Sequence, residues 1–400
     1  MTNMTESWET SVATTPRQIE EIRAVWKKMQ NGEPSPVFDA DIDRYLSVIK
    51  TRKDSAQPYI ITLSQNGEPV AMVIAQIGMR PVHISLGYKT ILRPKLKCLT
   101  ITYGGILGRK DEETCSMIMR GLMRQMKEKK ISIISFNHLE NNSHLYKLSR
   151  NIPGFLSRSY FPKCEKHWQM SAPENMDQFF QSLSQRHRAN LKRYRKKFEQ
   201  EFEGRFKIVV YSLENDLNEG IKAAEQISRN TYQWGLGCGF KDDSVNRTLL
   251  TAAVKMGWLR LHILYVDSEP CAFENWIKYD KKYFGHGIGF DPKWKSWRIG
   301  TVLFLNTLEQ ICSDDSIEAI DFGFGDAEYK QSYGSDSWDE VSTYIFAPRL
   351  YPVFINVLRT SFAAIELALK YAAHKLGLIG KVKRLWRNRI AHQISKETTA

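Results

Sequence analysis

The chain has 400 residues, of which 42% are hydrophobic and 12% aromatic, and its formal net charge is +13. This apolar content can fill two packed cores and excludes extensive disorder, while the length favours two domains over one. Six cysteines are scattered without a C-x-x-C pair, which favours reduced core thiols and argues against a disulfide framework or a structural metal.

The first 15 residues are rich in Thr, Ser, Glu and Met and contain no apolar segment of the kind that secretion signals carry. We therefore predict a disordered tail at residues 1–15. Export is not indicated, and we expect a cytoplasmic protein.

The first folded region begins with a predicted β-hairpin at residues 60–72, where apolar runs flank a polar turn and the motif Glu68-Pro69-x-Ala71 opens the second strand. A further strand, a long helix and another strand are predicted at residues 99–104, 112–130 and 131–136. This order indicates a mixed sheet flanked by helices.

A domain boundary is predicted after residue 172, where the polar stretch Ser171-Ala172-Pro173-Glu174 precedes a predicted helix. The boundary separates an N-terminal domain, residues 16–172, from a C-terminal domain, residues 173–348. A basic helix follows at residues 186–197, with seven Lys or Arg residues and no acid. It is either a solvated linker helix or a surface that contacts phosphates.

Residues 263–273 repeat the pattern of the first hairpin, again with Glu-Pro-x-Ala after a polar turn. A strand, a helix and a second strand follow in the same order, at residues 283–290, 301–313 and 319–322, and a final strand is predicted at residues 337–347. A duplicated unit explains this order. We predict an α/β protein with two tandem domains, each with a mixed, mostly antiparallel sheet flanked by helices.

The carboxyl end of the strand at residues 319–322 is followed by a dense cluster of polar residues and glycines: Asp321, Gly323, Gly325, Asp326, Glu328, Tyr329 and Lys330. Ligands of α/β sheets bind at such strand ends. The cluster therefore marks the second domain as the place to look for a site.

The order of elements over residues 55–345 resembles the GNAT acyltransferase fold. The second half is similar to the acetyltransferase domain of CelD-type, FemAB-like proteins, which are linked to cellulose and exopolysaccharide synthesis. Four segments carry this resemblance: the basic helix at residues 186–193, Gly289-Phe290-Asp291-Pro292, Gly300-Thr301-x-Leu303, and residues 321–330. The resemblance implies two GNAT-like domains and acetyl-CoA or another acyl-CoA as co-substrate, without a metal.

In GNAT proteins, a glycine-containing loop at a helix start presents main-chain amides to the pyrophosphate of CoA. Arg298-Ile299-Gly300-Thr301 occupies that place here, with Gly300 as the glycine of close approach. Thr301 stands where a second glycine is usual and is alternatively an N-cap of the helix. In the first half, residues 104–111 place their glycines before the helix, and we expect a degenerate cofactor site.

The resemblance and the strand positions suggest five catalytic residues. Glu274 and His286 lie on the second and third strands, where either is a candidate general base. Asp321 is a third candidate proton acceptor. Tyr329 and Lys330 match the family's Tyr-Lys pair and are expected to supply a proton or a positive charge to the leaving thiolate or the oxyanion.

Three further residues are predicted to contact the acceptor: Trp234 in a glycine-rich loop, Asp326 in the polar cluster, and Arg188 in the basic helix. Trp294 and Trp297 lie beside the proposed phosphate loop and either cover the ligand or pack in the core. Because no Cys or Ser stands in an evident nucleophile setting, direct attack by the acceptor is expected.

Residues 349–400 are predicted to form basic amphipathic helices. Between residues 370 and 396 there are eight Lys or Arg residues and no acid, interleaved with apolar residues. This pattern predicts peripheral contact with an anionic membrane at its inner face. Residues 361–373 include Glu366 and Lys370, and we do not expect them to span a membrane.

The predicted function is N- or O-acyl transfer from acyl-CoA to a cell-envelope or polysaccharide precursor, either a small molecule or a lipid-linked sugar. One alternative is a FemAB-like aminoacyltransferase that uses aminoacyl-tRNA. Because no segment has room for the long helical arm of some tRNA-using relatives, acyl-CoA is preferred and nucleic acid is not an expected partner. The other alternative is a non-catalytic basic scaffold for nucleic acid or membrane.

Overall fold

A computed structural model of the protein describes residues 7–52, 55–87, 89–235, 237, 239–325 and 327–375. The strands are β1 (Trp8–Ala13), β2 (Ala56–Gln65), β3 (Glu68–Pro81), β4 (Ile84–Leu86), β5 (Lys89–Leu92), β6 (Lys95–Gly108), β7 (Ile133–Glu140), β8 (Lys163–Ser171), β9 (Phe206–Tyr211), β10 (Leu259–Val266), β11 (Glu269–Tyr279), β12 (Lys282–Phe290), β13 (Ala319–Phe324) and β14 (Asp336–Phe346).

The α-helices are α1 (Pro16–Glu21), α2 (Arg23–Asn31), α3 (Ile42–Thr51), α4 (Glu112–Glu128), α5 (His144–Asn151), α6 (Met176–Ser182), α7 (Gln185–Glu201), α8 (Leu217–Arg229), α9 (Tyr232–Gly235), α10 (Ser244–Lys255), α11 (Ile299–Cys312), α12 (Glu328–Tyr333) and α13 (Leu350–Lys375). Short 3₁₀ helices are present at Phe38–Ala40, Phe155–Ser157 and Pro292–Trp297.

The chain folds into two compact units. Unit 1 contains the described residues up to Lys166 and those from Trp338 onwards, and its sheet has the strand order β1-β2-β3-β6-β7-β14. Among the described residues of this sheet, only β6 and β7 pair in parallel. Helices α4 and α5 bury apolar side chains on one face of this sheet, and α1 to α3 do so on the other.

Unit 2 contains the described residues from His167 to Ser337, with the strand order β8-β13-β12-β11-β10-β9. Its parallel pair is β12 and β13. Helix α11 packs on one face, together with aromatic residues of α6 and α7, and α8 packs on the other. Both units therefore have the mixed, mostly antiparallel sheet with flanking helices that the sequence predicts.

The two predicted hairpins have the same local structure. Asn66-Gly67 and Asp267-Ser268 each place two consecutive residues at positive φ, 53° and 83° in the first and 48° and 67° in the second. Such turns match the twist of a two-residue hairpin. Both hairpins also carry a bulge at the corresponding position, after Leu63 and after Leu264. The predicted repeat of the hairpin is thereby confirmed.

The last strand of each half pairs in the sheet of the other half. β8 follows the first half but pairs with β13, from Ser171↔Ala319 to His167↔Phe324. β14 follows the second half but pairs with β7 of unit 1. The assignment of residues 337–347 to the sheet of the second half was therefore wrong, because the alternation of a strand does not specify which sheet edge it joins.

The amino-terminal residues also differ from the prediction. Residues 8–13, expected within a disordered tail, form β1 and pair antiparallel with β2 over Trp8↔Gln65 to Ala13↔Ile60. Side chains of β1 alternate between half-buried or buried and exposed positions, and Trp8 and Val12 pack against the core. This period-two pattern fixes the segment as an edge strand.

The carboxyl-terminal prediction concerns residues 349–400, of which residues 376–400 lie outside the described part of the chain. The described part is α13. By length and composition alone, Leu350–Ala372 is long and apolar enough to cross a membrane, the one such helix in the part of the chain that the structure describes.

Candidate active site

A cavity of about 260 Å³ opens in unit 2 where β12 and β13 diverge. The two strands pair only from Lys282↔Ala319 to Phe284↔Asp321, although β12 continues to Phe290. The walls come from β11, the end of β12, the first turn of α11 and helix α12. Such divergence leaves main-chain groups of β12 without strand partners and makes room for a ligand between the strands.

The first turn of α11 has no side-chain cap. Arg298 occupies the N-cap position in the left-handed conformation (φ 52°), and its carbonyl accepts hydrogen bonds from the amides of Thr301 and Val302 at 2.8 and 3.1 Å. Thr301 is therefore inside the helix, which corrects the alternative that it is the N-cap. In the described part of the chain, the amides of Ile299 and Gly300 have no acceptor.

Gly300 lines the cavity, and its own packing does not require glycine. A Cβ built there would lie 3.5 Å from Cδ1 of Phe290, an ordinary van der Waals contact. The missing side chain instead leaves the main chain of the first turn open on the cavity side. A close backbone approach to a ligand is a recurrent reason for glycine at such a position.

Positive charge surrounds this helix terminus. The Arg298 guanidinium lies 5.5 Å from the ring of Tyr194 on α7, and Lys197 Nζ lies 4.7 Å from the ring of Trp297. Helix α7 is held there by the buried side chains of Leu191 and Phe198, so it is a packed helix and not a solvated linker. Cations, free amides and the positive end of α11 together favour an anion.

The corresponding helix of unit 1, α4, has acidic residues at its amino terminus instead. The carboxylate of its N-cap, Asp111, accepts from the Thr114 amide at 2.7 Å, and Glu112 and Glu113 occupy the first turn. This hydrogen bond to the main chain is the main reason that the pKa of Asp111 is lowered. Because acids occupy and surround this terminus, it cannot hold a phosphate in the way that α11 can.

Glu274 of β11 is the carboxylate of the cavity, and it is only 5% exposed. Burial raises its pKa to about 7, against hydrogen bonds to the side chains of Trp276 and Thr307 that lower it. Trp276 Nε1 donates to Glu274 Oε2 at 3.0 Å. A carboxyl group with a pKa near neutrality can accept a proton and return it at physiological pH.

Behind Glu274, the Thr307 hydroxyl lies 2.8 Å from Nδ1 of His262. His262 is buried, and burial lowers its pKa to about 4, so its imidazole is neutral near pH 7. A neutral ring can donate to Thr307 while Thr307 donates to the carboxylate. The three side chains form a chain of hydrogen bonds that fixes the orientation of Glu274.

Two tyrosines of α12, Tyr329 and Tyr333, face Glu274 across the cavity. Burial raises the pKa of Tyr333 to about 12, and the charge of Glu274 contributes to the shift, whereas a hydrogen bond to the side chain of Thr301 lowers the pKa. Tyr333 lies four residues after Tyr329, one helical turn along the same face. That i, i+4 spacing was visible in the sequence and could have identified Tyr333, which the prediction missed.

Other predicted catalytic residues do not line the cavity. Asp321 Oδ1 lies 2.7 Å from Nε2 of the buried His167 and accepts from the amide of Gly323 at 2.7 Å. Lys330 Nζ donates to the carbonyl of Phe324 at 2.6 Å. His286 is exposed and forms the bulge between the pairs Asn275↔Gly287 and Trp276↔Gly285. The contacts of Asp321 hold the bulge of β13 beside β8, and the contact of Lys330 holds the end of β13.

The structure also locates the predicted acceptor residues. Trp234 lies between the cations of Arg229 and Lys241, 5.4 and 5.5 Å from its ring, whereas its neighbours Thr231 and Gln233 line the cavity. Arg188 is half-buried on α7. Asp326 lies outside the described residues.

Of the predicted phosphate-loop residues, Ile299 is fully buried and Gly300 and Thr301 line the cavity. Trp294 and Trp297 pack edge-on against Phe202, so their rings belong to the core of unit 2.

The described cysteines are not activated thiols. Burial raises the pKa of Cys98 and Cys115 to about 11 and that of Cys271 to about 12, and it also raises the pKa of Cys164 and Cys312. In the parts of the chain that the structure describes, no group of three or more His, Cys, Asp or Glu side chains is placed to hold a metal ion.

Known structures resemble this fold over most of its length. FemX is 11% identical, with 83% of this chain and 96% of FemX covered and a TM-score of 0.56. A tandem GNAT protein from the clavulanic acid biosynthesis pathway is 10% identical, with 86% and 100% covered and a TM-score of 0.52. A conserved protein of unknown function from Bacteroides thetaiotaomicron is 11% identical, with 84% and 100% covered and a TM-score of 0.51. At these identities the similarity concerns the fold alone.

The sequence has no significant match among curated proteins. Residues 185–331, all in unit 2, match the family model of the acetyltransferase (GNAT) domain. The predicted α/β fold with two tandem GNAT-like domains is thus confirmed, and the match to the acetyltransferase (GNAT) family model lies in its second half.

Proposed function

We propose that unit 2 transfers an acetyl or other acyl group from acyl-CoA to an amine or hydroxyl. One observation carries the proposal: the uncapped first turn of α11, flanked by Arg298, opens onto the same cavity as Glu274. A diphosphate fits the two free amides and the positive terminus, and a thioester held there would lie beside a carboxylate that is protonated and deprotonated near pH 7.

Glu274 serves as the general base in this proposal. Its carboxylate takes the proton of the attacking amine or hydroxyl, the acceptor atom forms a bond to the thioester carbon, and the carbon–sulfur bond then breaks. The leaving thiolate needs a proton, for which the hydroxyl groups of Tyr329 and Tyr333 stand on the opposite wall. Tyr333 is hydrogen-bonded to the side chain of Thr301 in the first turn of α11, where the diphosphate of CoA is proposed to bind.

Direct transfer is favoured over a covalent acyl-enzyme. The raised pKa values of the described cysteines keep those thiols protonated near pH 7, so they are poor nucleophiles. The structural neighbour from the clavulanic acid pathway is described as solved without AcCoA, which supports acetyl-CoA as the ligand to test first.

For the acceptor, we propose a cell-envelope or polysaccharide precursor, as in the CelD-type proteins that the second half resembles, and a cytoplasmic reaction. The cavity walls are mainly aromatic and aliphatic, including the exposed side chains of Ile288 and Phe290, and such walls suit the face of a sugar ring or a lipid-linked substrate. Aminoacyl-tRNA is the second candidate donor, favoured by the basic helix α7.

The test is a donor competition with the full chain. CoA release from acetyl-CoA is measured with amino sugars, nucleotide sugars and lipid-linked sugars, in parallel with transfer from aminoacyl-tRNA. We expect acceptor-dependent CoA release that the variant Glu274→Gln reduces about a hundredfold. Transfer from aminoacyl-tRNA without any CoA release would contradict the proposal, and so would an unchanged rate in the variant.

A further inference from the structure

Unit 1 exposes a continuous set of large apolar side chains at the start of α13. Leu350, Tyr351, Phe354 and Val357 are 94%, 55%, 56% and 45% exposed. Phe155 and Leu156, in the 3₁₀ segment Phe155–Ser157, lie against this part of α13 and are 70% and 53% exposed. We call these six residues the apolar surface. Soluble monomers rarely leave side chains of this size together in water without a partner.

The exposure results from firm docking of the opposite face of α13. Asn356 Nδ2 donates to the carbonyls of Leu156 and Arg158 at 3.0 and 2.8 Å. Arg359 donates to Ser159 Oγ at 2.9 Å and to the carbonyl of Phe161 at 3.0 Å. Because these buried polar groups hold the helix to the 3₁₀ segment, the apolar surface is a fixed part of unit 1.

The same contacts argue against α13 as a membrane span. A span over Leu350–Ala372 would carry Asn356 and Arg359 into hydrocarbon and break their hydrogen bonds to unit 1. Arg359 is half-buried, and burial is the main cause of its lowered pKa. A helix that is anchored on one face and apolar on the other fits the plane of a bilayer interface.

Beyond residue 362, α13 exposes more apolar side chains, those of Ile365, Leu367, Leu369 and Tyr371. The sequence then becomes strongly basic, with eight Lys or Arg and no Asp or Glu between residues 370 and 396. Positive charge directly after an apolar surface is complementary to anionic lipid headgroups.

We infer that unit 1 binds the surface of an anionic bilayer through this apolar surface, with α13 lying in the interface. A groove of about 400 Å³ between the 3₁₀ segment and α13, lined by Phe155, Leu156, Tyr160 and Val357 among others, has room for part of an acyl chain. Tyr351 and Tyr371 lie where amphipathic rings meet headgroups. Hydrophobic burial and headgroup charge act together, as stable peripheral binding requires.

The experiment is co-sedimentation of the full chain with vesicles of phosphatidylcholine, with and without phosphatidylglycerol. The test variant is the double change Phe155→Ser and Leu156→Ser, because both side chains are exposed and outside the core. The matched control is Leu213→Ser, a 66% exposed leucine of unit 2. The predicted result is binding that needs phosphatidylglycerol, weakens in high salt, and falls about tenfold or more in the double variant but not in the control.

Three outcomes would overturn the inference. Equal vesicle binding by the double variant and the wild type would show that the apolar surface does not contact the bilayer. Retention of the bound protein in alkaline carbonate would indicate a span. A dimer in light scattering, dissociated by the double change and indifferent to vesicles, would show that a second copy covers the surface. Acyl transfer to a soluble acceptor should be unchanged in the double variant, which keeps this test separate from that of the proposed function.

Discussion

Trp276 and Glu274 lie two residues apart on β11, and the indole N–H of the first donates to the carboxylate of the second at 3.0 Å inside the cavity of unit 2. Strand geometry points both side chains to one face of the sheet, and the pairing Trp276↔Gly285 sits beside a bulge. The acid is thereby buried but held in one orientation, which is how a general base is positioned before a substrate arrives.

The variant Glu274→Gln should change activity and stability in opposite directions at pH 8. Loss of the base should lower kcat about a hundredfold. Because the pKa of the folded carboxyl is raised to about 7 from 4.5, the contribution of Glu274 to folding stability is most favourable below pH 4.5 and is lost as pH rises through 7. The amide carries no such penalty, so the variant should be more stable at pH 8 by up to about 3 kcal/mol and no more stable at pH 4. Denaturant unfolding at both pH values measures this.

The same pKa predicts the pH dependence of the reaction. The deprotonated carboxylate is the active form, so kcat/KM should fall about tenfold per pH unit below pH 7 and level off above it. The profile of kcat/KM for the acceptor is measured in the wild type at acceptor concentrations below KM. A rate that is flat between pH 5 and pH 8 would show that Glu274 does not accept the proton.

Tyr333→Phe and Tyr329→Phe identify the proton donor. Both side chains line the cavity, but Tyr333 is also hydrogen-bonded to the side chain of Thr301 at the helix start. We expect the Tyr333 change to lower kcat about a hundredfold with a small change in KM, and the Tyr329 change to have the smaller effect. Steady-state kinetics of the two single variants and the double variant measure both effects. The reverse order would assign the role to Tyr329, the residue that the sequence suggested.

Gly300→Ala and Gly300→Leu form a graded test of the anion site. The alanine Cβ would make only an ordinary contact with Phe290, and alanine favours a helix over glycine, so this variant should be more stable by roughly 0.5–1 kcal/mol. Its CoA affinity should nevertheless fall, and the leucine variant should lose binding. Thermal unfolding and calorimetric titration with CoA measure the two quantities. Parallel losses of stability and affinity would instead indicate a folding defect.

Asp321→Asn tests a structural role. The variant weakens the contact with buried His167 and one to the Gly323 amide, so stability should fall by about 1–3 kcal/mol. The kcat of the folded variant should stay within about threefold of wild type, because Asp321 does not line the cavity. A loss of kcat as large as that of Glu274→Gln, without a loss of stability, would restore Asp321 as a catalytic candidate.

The pairing of β8 with β13, and of β14 with β7, predicts how fragments of the chain fold. A fragment of residues 173–348, cut at the boundary that the sequence suggested, lacks β8 and leaves β13 paired only with β12. A fragment of residues 163–337 keeps β8 and omits most of β14. We expect cooperative thermal unfolding by circular dichroism only for the second fragment. Cooperative unfolding of the first with the same midpoint would mean that β8 contributes little to unit 2.

The sequence predicted well what depends on local patterns. The hairpin turns, the hairpin strands of both sheets and the start of α11 follow from turn residues and apolar periodicity, and Glu274, Gly300, Thr301 and Tyr329 do line one cavity. What it missed depends on distant partners. The pairing of β8 with β13 and of β14 with β7, the burial that raises the pKa of Glu274, and the contact of Asp321 with His167 are set by residues far away in the chain.

The proposed acyl transfer depends on binding of the CoA diphosphate by the first-turn amides of α11. Hydrogen exchange of the full chain with and without CoA tests it directly, because amides without an acceptor exchange rapidly until a ligand protects them. We expect slowed exchange at the amides of Ile299 and Gly300 and in the part of β12 that does not pair with β13, and no change at the start of α4. Unchanged exchange at Ile299 and Gly300, or protection centred on α4, would contradict the proposal.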